Sequence, residues 1–318
     1  MSSHPAIVDV SAARRMGTAV STVISGKPEA VRTALVVMLA GGHLLIEDVP
    51  GVGKTMLAKS LAKSLGCSVR RIQFTPDLLP SDVVGVSIFN TGSSDFEFKP
   101  GAIFANVVIA DEINRASPKT QAALLECMEE GQVSVDGATY LLAKPFMVVA
   151  TQNPAEMEGT YPLPEAQRDR FMARIQMGYP DSDAELAMLN AHGANDPLSQ
   201  VAAIASAADV STMVDAVSRV HVSDALAAYV VDLVRATRNS PEVRLGASPR
   251  AALHLLRASR AAAALSERDY VLPDDVQRLA VPVLAHRLLL TTEAQLARRS
   301  PQQVMASIVS AVPIPQPN

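Results

Sequence analysis

His43-Leu44-Leu45-Ile46-Glu47-Asp48-Val49-Pro50-Gly51-Val52-Gly53-Lys54-Thr55 is a short apolar run entering a glycine-containing loop that ends in Gly-Lys-Thr. A helical pattern, Met56 to Leu65, follows at once and stops at Gly66. Strand, loop and helix in this order make a phosphate cradle: backbone N–H groups and the positive helix end surround phosphate oxygens, Lys54 adds a point charge, and the Thr55 hydroxyl reaches Mg²⁺. Pro50, Gly51, Val52, Gly53, Lys54, Thr55 and Met56 are the residues expected to line it. Gly-Lys-Ser/Thr alone arises by chance in roughly one chain in ten of this length, so the flanking strand and helix carry the reading. One position departs, because the general G-x-x-x-x-G-K-[ST] loop opens on Gly and here that residue is Asp48. Asp tolerates left-handed and turn conformations, so the loop still closes, and Pro50 stiffens it.

At 318 residues the chain suggests about two domains, each long enough to bury a core. A hydrophobic content of 48% with 19% charged residues describes a globular protein. The formal net charge of −4, without a block of Lys or Arg, opposes a dedicated nucleic-acid binder. Cys67 and Cys127 both fall in structured patterns, which fits a reducing compartment rather than a disulfide framework. No run of about eighteen uncharged apolar residues occurs, and the first ten residues lack the basic start and apolar core of a signal peptide. The expectation is a cytoplasmic protein that is not embedded in a membrane.

Pro28 opens a helical run, Glu29 to Ala40, that Gly41-Gly42 ends before the apolar strand. Further strands are expected at Val69 to Gln73, Val107 to Ala110 and Phe146 to Ala150, with a helix at Pro118 to Glu130. Strands alternating with helices indicate a parallel sheet covered on both faces, with ligands at the carboxyl ends of the strands. Two β-hairpins interrupt this core: Val86 to Phe98 around Asn90-Thr91-Gly92-Ser93-Ser94, and Gln132–Val135 with Ala138–Leu141 around Asp136-Gly137. From Asp183 onward the pattern is helical, at Ala184–Ala191, Ser223–Arg238, Pro249–Leu265 and Pro273–Val283, with no convincing strand. The expected division is an α/β core over 1–179, an all-α domain over 180–312, and a disordered tail over 313–318.

Val107-Val108-Ile109-Ala110-Asp111-Glu112 delivers two carboxylates from a buried strand, Asp111 suited to hold Mg²⁺ together with Thr55 and Glu112 to polarise an attacking water. Asn153, in Thr151-Gln152-Asn153-Pro154 after another core strand, is placed to orient that water or touch a γ-phosphate, although an Asn before Pro also serves simply to start a turn. Arg168, Arg170 and Arg174 close the α/β region; a guanidinium there could reach a neighbouring subunit's γ-phosphate, or pair with nearby Asp residues as a surface charge. Arg250 follows Ser248, a plausible N-cap, and Pro249. An Arg in a first helical turn opposes the macrodipole, which points to an anion beside it; the alternative is an ordinary surface charge.

Gly51-Val52-Gly53-Lys54-Thr55, Asp111-Glu112-Ile113-Asn114-Arg115-Ala116, Ala150-Thr151-Gln152-Asn153-Pro154, Glu158 to Gln167, Asp169-Arg170-Phe171 and Ser248-Pro249-Arg250 together resemble the MoxR family of AAA+ ATPases over nearly the whole chain. The resemblance implies a P-loop AAA+ core with two inserted hairpins and an all-α lid. It makes Lys54 and Thr55 Walker A, Asp111 and Glu112 Walker B, Asn153 sensor 1, Arg170 the trans-acting finger in preference to Arg168, and Arg250 sensor 2. The hairpins would be the helix-2 insert and the pre-sensor-1 hairpin, facing a pore or client. It further implies ATP and Mg²⁺ as cofactors and a homo-oligomeric, hexameric ring. Its partner would be a von Willebrand factor A domain protein or another protein client, which the ring assembles or activates as a chaperone does.

The reading favoured is therefore ATP hydrolysis coupled to remodelling of a protein client. A non-hydrolysing, nucleotide-gated scaffold is opposed by the intact Glu112. A DNA motor is opposed by the acidic balance. A magnesium-chelatase-type ATPase subunit shares the architecture and remains the near alternative.

Overall fold

Leu44 and Ile46 of β1 (Leu44–Glu47) pack into one apolar cluster and Leu45 into another, the period-two alternation of a strand buried on both faces. The same split divides Val107 and Ile109 from Val108 and Ala110 in β3 (Val107–Asp111), and Val149 from Val148 and Ala150 in β4 (Met147–Gln152). With β2 (Val69–Gln73) and β5 (Ala173–Ile175) these strands form a five-stranded parallel sheet in the order β5-β1-β4-β3-β2. The computed structural model describes residues 8–154, 159–180, 182–183, 185–186 and 197–315. Glu158, most of the helix expected over Ala184–Ala191, and residues 316–318 of the expected tail lie outside the described residues.

One face of the sheet is covered by α1 (Ser11–Val23), α2 (Pro28–Leu39) and α3 (Lys54–Ser64), and this apolar cluster runs on into the C-terminal helices. Those are α5 (Ala207–Ser218), α6 (Asp224–Asn239), α7 (Pro249–Leu265), α8 (Pro273–Leu284) and α9 (Pro301–Ala311). The other face is covered by α4 (Pro118–Glu130), whose Leu124, Leu125 and Met128 meet Leu45, Val108 and Phe171. Nine residues of α2, Ala30 to Leu39 apart from Arg32, are buried, as expected of a helix that is apolar all round and sandwiched between sheet and lid. Pro stands at the first position of α2, α4, α7, α8 and α9, where its missing N–H costs nothing.

Both hairpins form. Gly85–Asn90 pairs with Asp95–Pro100, and Gln132–Val135 with Ala138–Leu141. Asp136 and Gly137 have φ of +50° and +80°, the type I′ turn that matches strand twist. Phe98 of the first hairpin stacks on Tyr140 of the second at 3.9 Å between centroids, while Phe89 and Phe96 pair at the exposed tip.

The sequence reading needs correction at several points. The N-terminal helix α1 and the lid helices α5 and α9 had no counterpart in the sequence reading. β5 was missed as well: it is three residues long, with Arg174 in its centre. Strand structure also persists beyond residue 183. Ala205–Ser206 pairs in parallel with Leu65–Gly66, so the helix expected to run to Leu65 ends at Ser64, and Val243–Leu245 pairs with Leu289–Leu290 inside the helical domain. Such two- and three-residue ladders bury too little for periodicity to register. Among the described residues no helix is long and apolar enough to cross a membrane.

Candidate active site

Gly51 and Gly53 adopt φ of +84° and +90°, backbone that L side chains avoid, and Gly53 is the residue that caps α3. A Cβ built on Gly51 would meet nothing within 4 Å, so the loop faces open space. Pro50 is exposed, Val52 is buried beneath the loop, and Lys54, Thr55 and Met56 form the first turn of α3. Lys54 Nζ donates to the Asp48 carbonyl and, at 3.0 Å, to the Gln152 carbonyl, spanning the ends of β1 and β4.

β3 delivers Asp111 to the same edge. Its side chain is 3% exposed; Oδ1 accepts from Thr55 Oγ1 at 3.2 Å and Thr151 Oγ1 at 2.9 Å, and Oδ2 accepts from Arg71 Nε at 2.6 Å. A hydroxyl and a buried carboxylate this close form the hard-oxygen pair that Mg²⁺ takes, with waters and phosphate filling the remaining positions. The residues present therefore fit the ion that the loop implies. Glu112 follows with φ +57°, a left-handed conformation uncommon outside glycine, and its N–H donates to Thr151 Oγ1 at 3.0 Å. That turn leaves its carboxylate between Gln73 Nε2 at 2.9 Å and Arg115 Nε at 3.2 Å. Arg71 Nη2 donates to Gln73 Oε1 at 2.8 Å, so β2 links the two acidic side chains through Arg71 and Gln73. Asn153 directly follows the carbonyl that holds Lys54 and is buried, its own carbonyl accepting from Asn114 Nδ2 at 3.3 Å.

Arg170 and Arg250 are not part of this group. Residue 170 precedes β5, and Met172 N–H donates to the carbonyl of His43, the residue that leads into β1. Both arginines therefore lie at the amino edge of the sheet, about 13 Å of strand from the cradle. There Arg170 Nε lies 3.1 Å from Glu129 Oε2, and Arg250 Nη2 binds the other oxygen, Oε1. The anion expected beside Arg250 is thus the Glu129 carboxylate, and Ser248 caps α7 as expected. Arg174 is withdrawn from the candidates: it pairs with Glu47 at 2.7 Å within the sheet. Arg168 turns inward, with Nε buried.

Behind the arginine pair sits Arg287, whose side chain is 2% exposed. Its Nε donates to Asp169 Oδ1 at 2.7 Å, and Nη2 donates to the Phe171 carbonyl at 2.7 Å and to His254 Nδ1 at 2.7 Å. Asp169 also accepts from Ser248 Oγ at 2.9 Å, so one carboxylate joins the residue before Arg170 to the cap of the helix bearing Arg250. Burial pushes the His254 imidazole down to about 3, with Arg287 adding to the shift, and His43 down to about 4; His286 is also held well below its ordinary value, first by burial and then by Arg287. His43 is neutral, with Nδ1 accepting from Val148 N–H at 3.0 Å and Nε2 facing the Met128 carbonyl at 3.0 Å. Arg71, Gln73, Glu129, Asp169 and Arg287 were missed by sequence reasoning. Only Asp169 carried a signal, as part of Asp169-Arg170-Phe171.

A P-loop edge on a parallel sheet of this order, followed by a helical lid, defines an AAA-type nucleotide-binding protein. The model of the ATPase family associated with various cellular activities matches residues 43–173, and that of the AAA lid domain matches 235–308. The chain is 50% identical over 93% of its length to the uncharacterized protein YeaC of Bacillus subtilis, covering 92% of it. It is 42% identical over 94% of its length to Chaperone MoxR1 of Mycobacterium tuberculosis, covering 81% of that protein. A crystal structure from Cytophaga hutchinsonii with a provisional ATPase assignment superposes with a TM-score of 0.87 at 40% identity, over 96% of each chain. The chain belongs to the MoxR family of AAA+ ATPases.

Proposed function

We propose that the protein binds ATP with Mg²⁺ and hydrolyses it in a cytoplasmic homo-oligomeric ring, most simply a hexamer, to remodel, assemble or activate a protein client. The observation that carries this reading is the convergence of Lys54, Thr55, Asp111 and Glu112 on one strand edge, in front of a loop with space for phosphates. In this reading Pro50 to Met56 surround the phosphates, with Lys54 exchanging its carbonyl partners for phosphate oxygens. Thr55 and Asp111 hold Mg²⁺, which when bound offsets the charge that develops on the phosphates. Glu112 orients the attacking water, and Asn153 reaches it from β4.

Phosphoryl transfer also needs positive charge at the γ-phosphate. Among the described residues, the guanidiniums beside the cradle are already engaged with carboxylates: Arg71 with Asp111, Arg115 with Glu112 and Arg174 with Glu47. Arg170 and Arg250 instead share one carboxylate at the opposite edge. We assign both to the cradle of a neighbouring copy, Arg170 rather than Arg168 as the finger and Arg250 as sensor 2, both acting in trans. The working division is a core over 1–179, a lid over 180–312 and a tail over 313–318. A chaperone name among the relatives, and the exposed aromatic tip of the first hairpin, support a protein client. A partner bearing a von Willebrand factor A domain is the family's expectation for it.

The test is Glu112→Gln. ATP binding should stay within about threefold of the parent while steady-state hydrolysis falls by about 10²-fold or more. Unchanged turnover would remove Glu112 from the mechanism, and a protein that binds no ATP would remove the function.

A further inference from the structure

Asp48, the residue that departs from the general loop, accepts three backbone N–H groups. Its Oδ1 takes Val49 N–H at 2.8 Å inside the loop, and its Oδ2 takes Met177 at 2.7 Å and Gly178 at 2.6 Å, just beyond β5. One further contact pins the same segment: Lys27 Nζ donates to the Tyr179 carbonyl at 2.7 Å. Gly178 has φ +63°, a left-handed turn that glycine adopts without strain and that carries the chain away toward the lid. The Asp48 carbonyl, meanwhile, is one of the acceptors of Lys54 Nζ.

β5 therefore has its two ends on two different sites. Arg170 stands before its first residue, and Met177 and Gly178, just after its last, hang on Asp48. In the middle of the strand Arg174 is tied to Glu47, the neighbour of Asp48. Its ladder bonds to β1, with Met172 N–H on the His43 carbonyl, fix its register against β1, so the paired strands move together and β5 joins the loop side to the Arg170 side. A glycine at position 48 would leave the Met177 and Gly178 amides without that acceptor.

We propose that Asp48 is a positioning residue that couples occupancy of the chain's own phosphate loop, through β5, to the placement of Arg170. The coupling rests on reading that loop as an ATP site. When phosphate draws Lys54 from the Asp48 carbonyl, the backbone of residue 48 is released to re-seat, and its carboxylate carries Met177 and Gly178 with it.

The experiment is amide hydrogen exchange over residues 171–180 in a Glu112→Gln background, with and without ATP, alongside direct ATP titration. With Asp48 present, ATP should change the protection of Met177 and Gly178 by about tenfold or more. In Asp48→Gly the two amides should exchange fast and ignore ATP, although ATP affinity stays within about threefold. Asp48→Asn, whose amide oxygen can still accept the Met177 and Gly178 N–H groups, should restore part of the response. With Glu112 unsubstituted, Asp48→Gly should lower kcat by about 10- to 100-fold with KM little changed. An ATP response that persists in Asp48→Gly overturns the proposal, as does a parent that binds ATP without any change at 171–180. Failure of the parent to bind ATP at all would instead overturn the reading of the loop.

Discussion

At the carboxyl edge of the sheet, charged groups are fixed by short ties within the motifs themselves: Lys54 to the carbonyls of Asp48, just after β1, and Gln152, the last residue of β4, Asp111 to Thr55 and Thr151, Glu112 by its own strained backbone. At the amino edge, two arginines from distant parts of the chain share the single carboxylate of Glu129, and what registers them is a buried seam between core and lid, Asp169 with Ser248 and Arg287. The first edge is organised to receive an anion and a divalent cation but pairs its nearby guanidiniums with its own acids. The second edge holds surplus positive charge pointed away from the first. Under the proposed function these edges are the two halves of one site, which a closed ring of identical copies would bring together.

The strongest way to break that comparison is to remove one half without touching the other. Arg170→Ala should leave ATP affinity within about threefold and reduce turnover by about 10³-fold, the scale of a lost arginine finger, with a smaller loss in Arg250→Ala. Equal losses of affinity and turnover in Arg170→Ala would mean that the two edges are not separable.

Next in size is the seam. Replacing Arg287 by Met takes the closest cation from Asp169, leaving it Ser248 Oγ and the more distant Arg250, and the donors from several buried carbonyls; removing one member of a buried pair costs about 3–5 kcal/mol. Urea denaturation should show that loss, and Arg287→Lys should recover only part of it, because a single ammonium cannot reproduce the forked donors. A midpoint unchanged in Arg287→Met would show that the lid is held by apolar contact alone.

Taken one group and one pH unit at a time, the smallest effect is pH. His43, His254 and His286 are neutral in the folded chain, with values pushed down to about 4, to about 3, and well below the ordinary range. Arg287 faces His254 and His286, so protonating either adds charge to a buried cation. The unfolded chain takes up protons near pH 6.5 while the folded chain does not, so stability is full above that value and falls as the pH drops toward 4. Each histidine contributes a slope of about 1.4 kcal/mol per pH unit inside this window. Stability that stays level between pH 7 and pH 5 would contradict the buried, neutral assignment.

These differences also explain what could be seen in advance. The carboxyl edge was legible because its parts are contiguous: Gly53-Lys54-Thr55 and Asp111-Glu112 each join an apolar strand to a chemical group within a few residues. The Asp136-Gly137 turn and the Ser248-Pro249 helix start were legible for the same reason. The amino edge was only half visible. Arg170 and Arg250 stood out, but Glu129 and Arg287 look like ordinary helix charges until the fold brings them within hydrogen-bond reach of residues far along the chain. β5 escaped because three residues with a central Arg give no alternation, and its Arg is neutralised by Glu47 from another strand. Asp48 read as a flaw in the loop; the structure turns it into a tie between the loop and β5.

The central claim is that the two edges belong to one site contributed by two copies. The direct measurement mixes Arg170→Ala subunits, which keep an intact cradle, with Lys54→Ala subunits, which keep an intact arginine pair, each inactive alone. Steady-state ATP hydrolysis should reappear in the mixture, rise with the fraction of mixed neighbours, and disappear when the second subunit also carries Arg170→Ala. A mixture that stays as inactive as its components, under conditions where the two chains demonstrably co-assemble, would contradict a site shared between subunits.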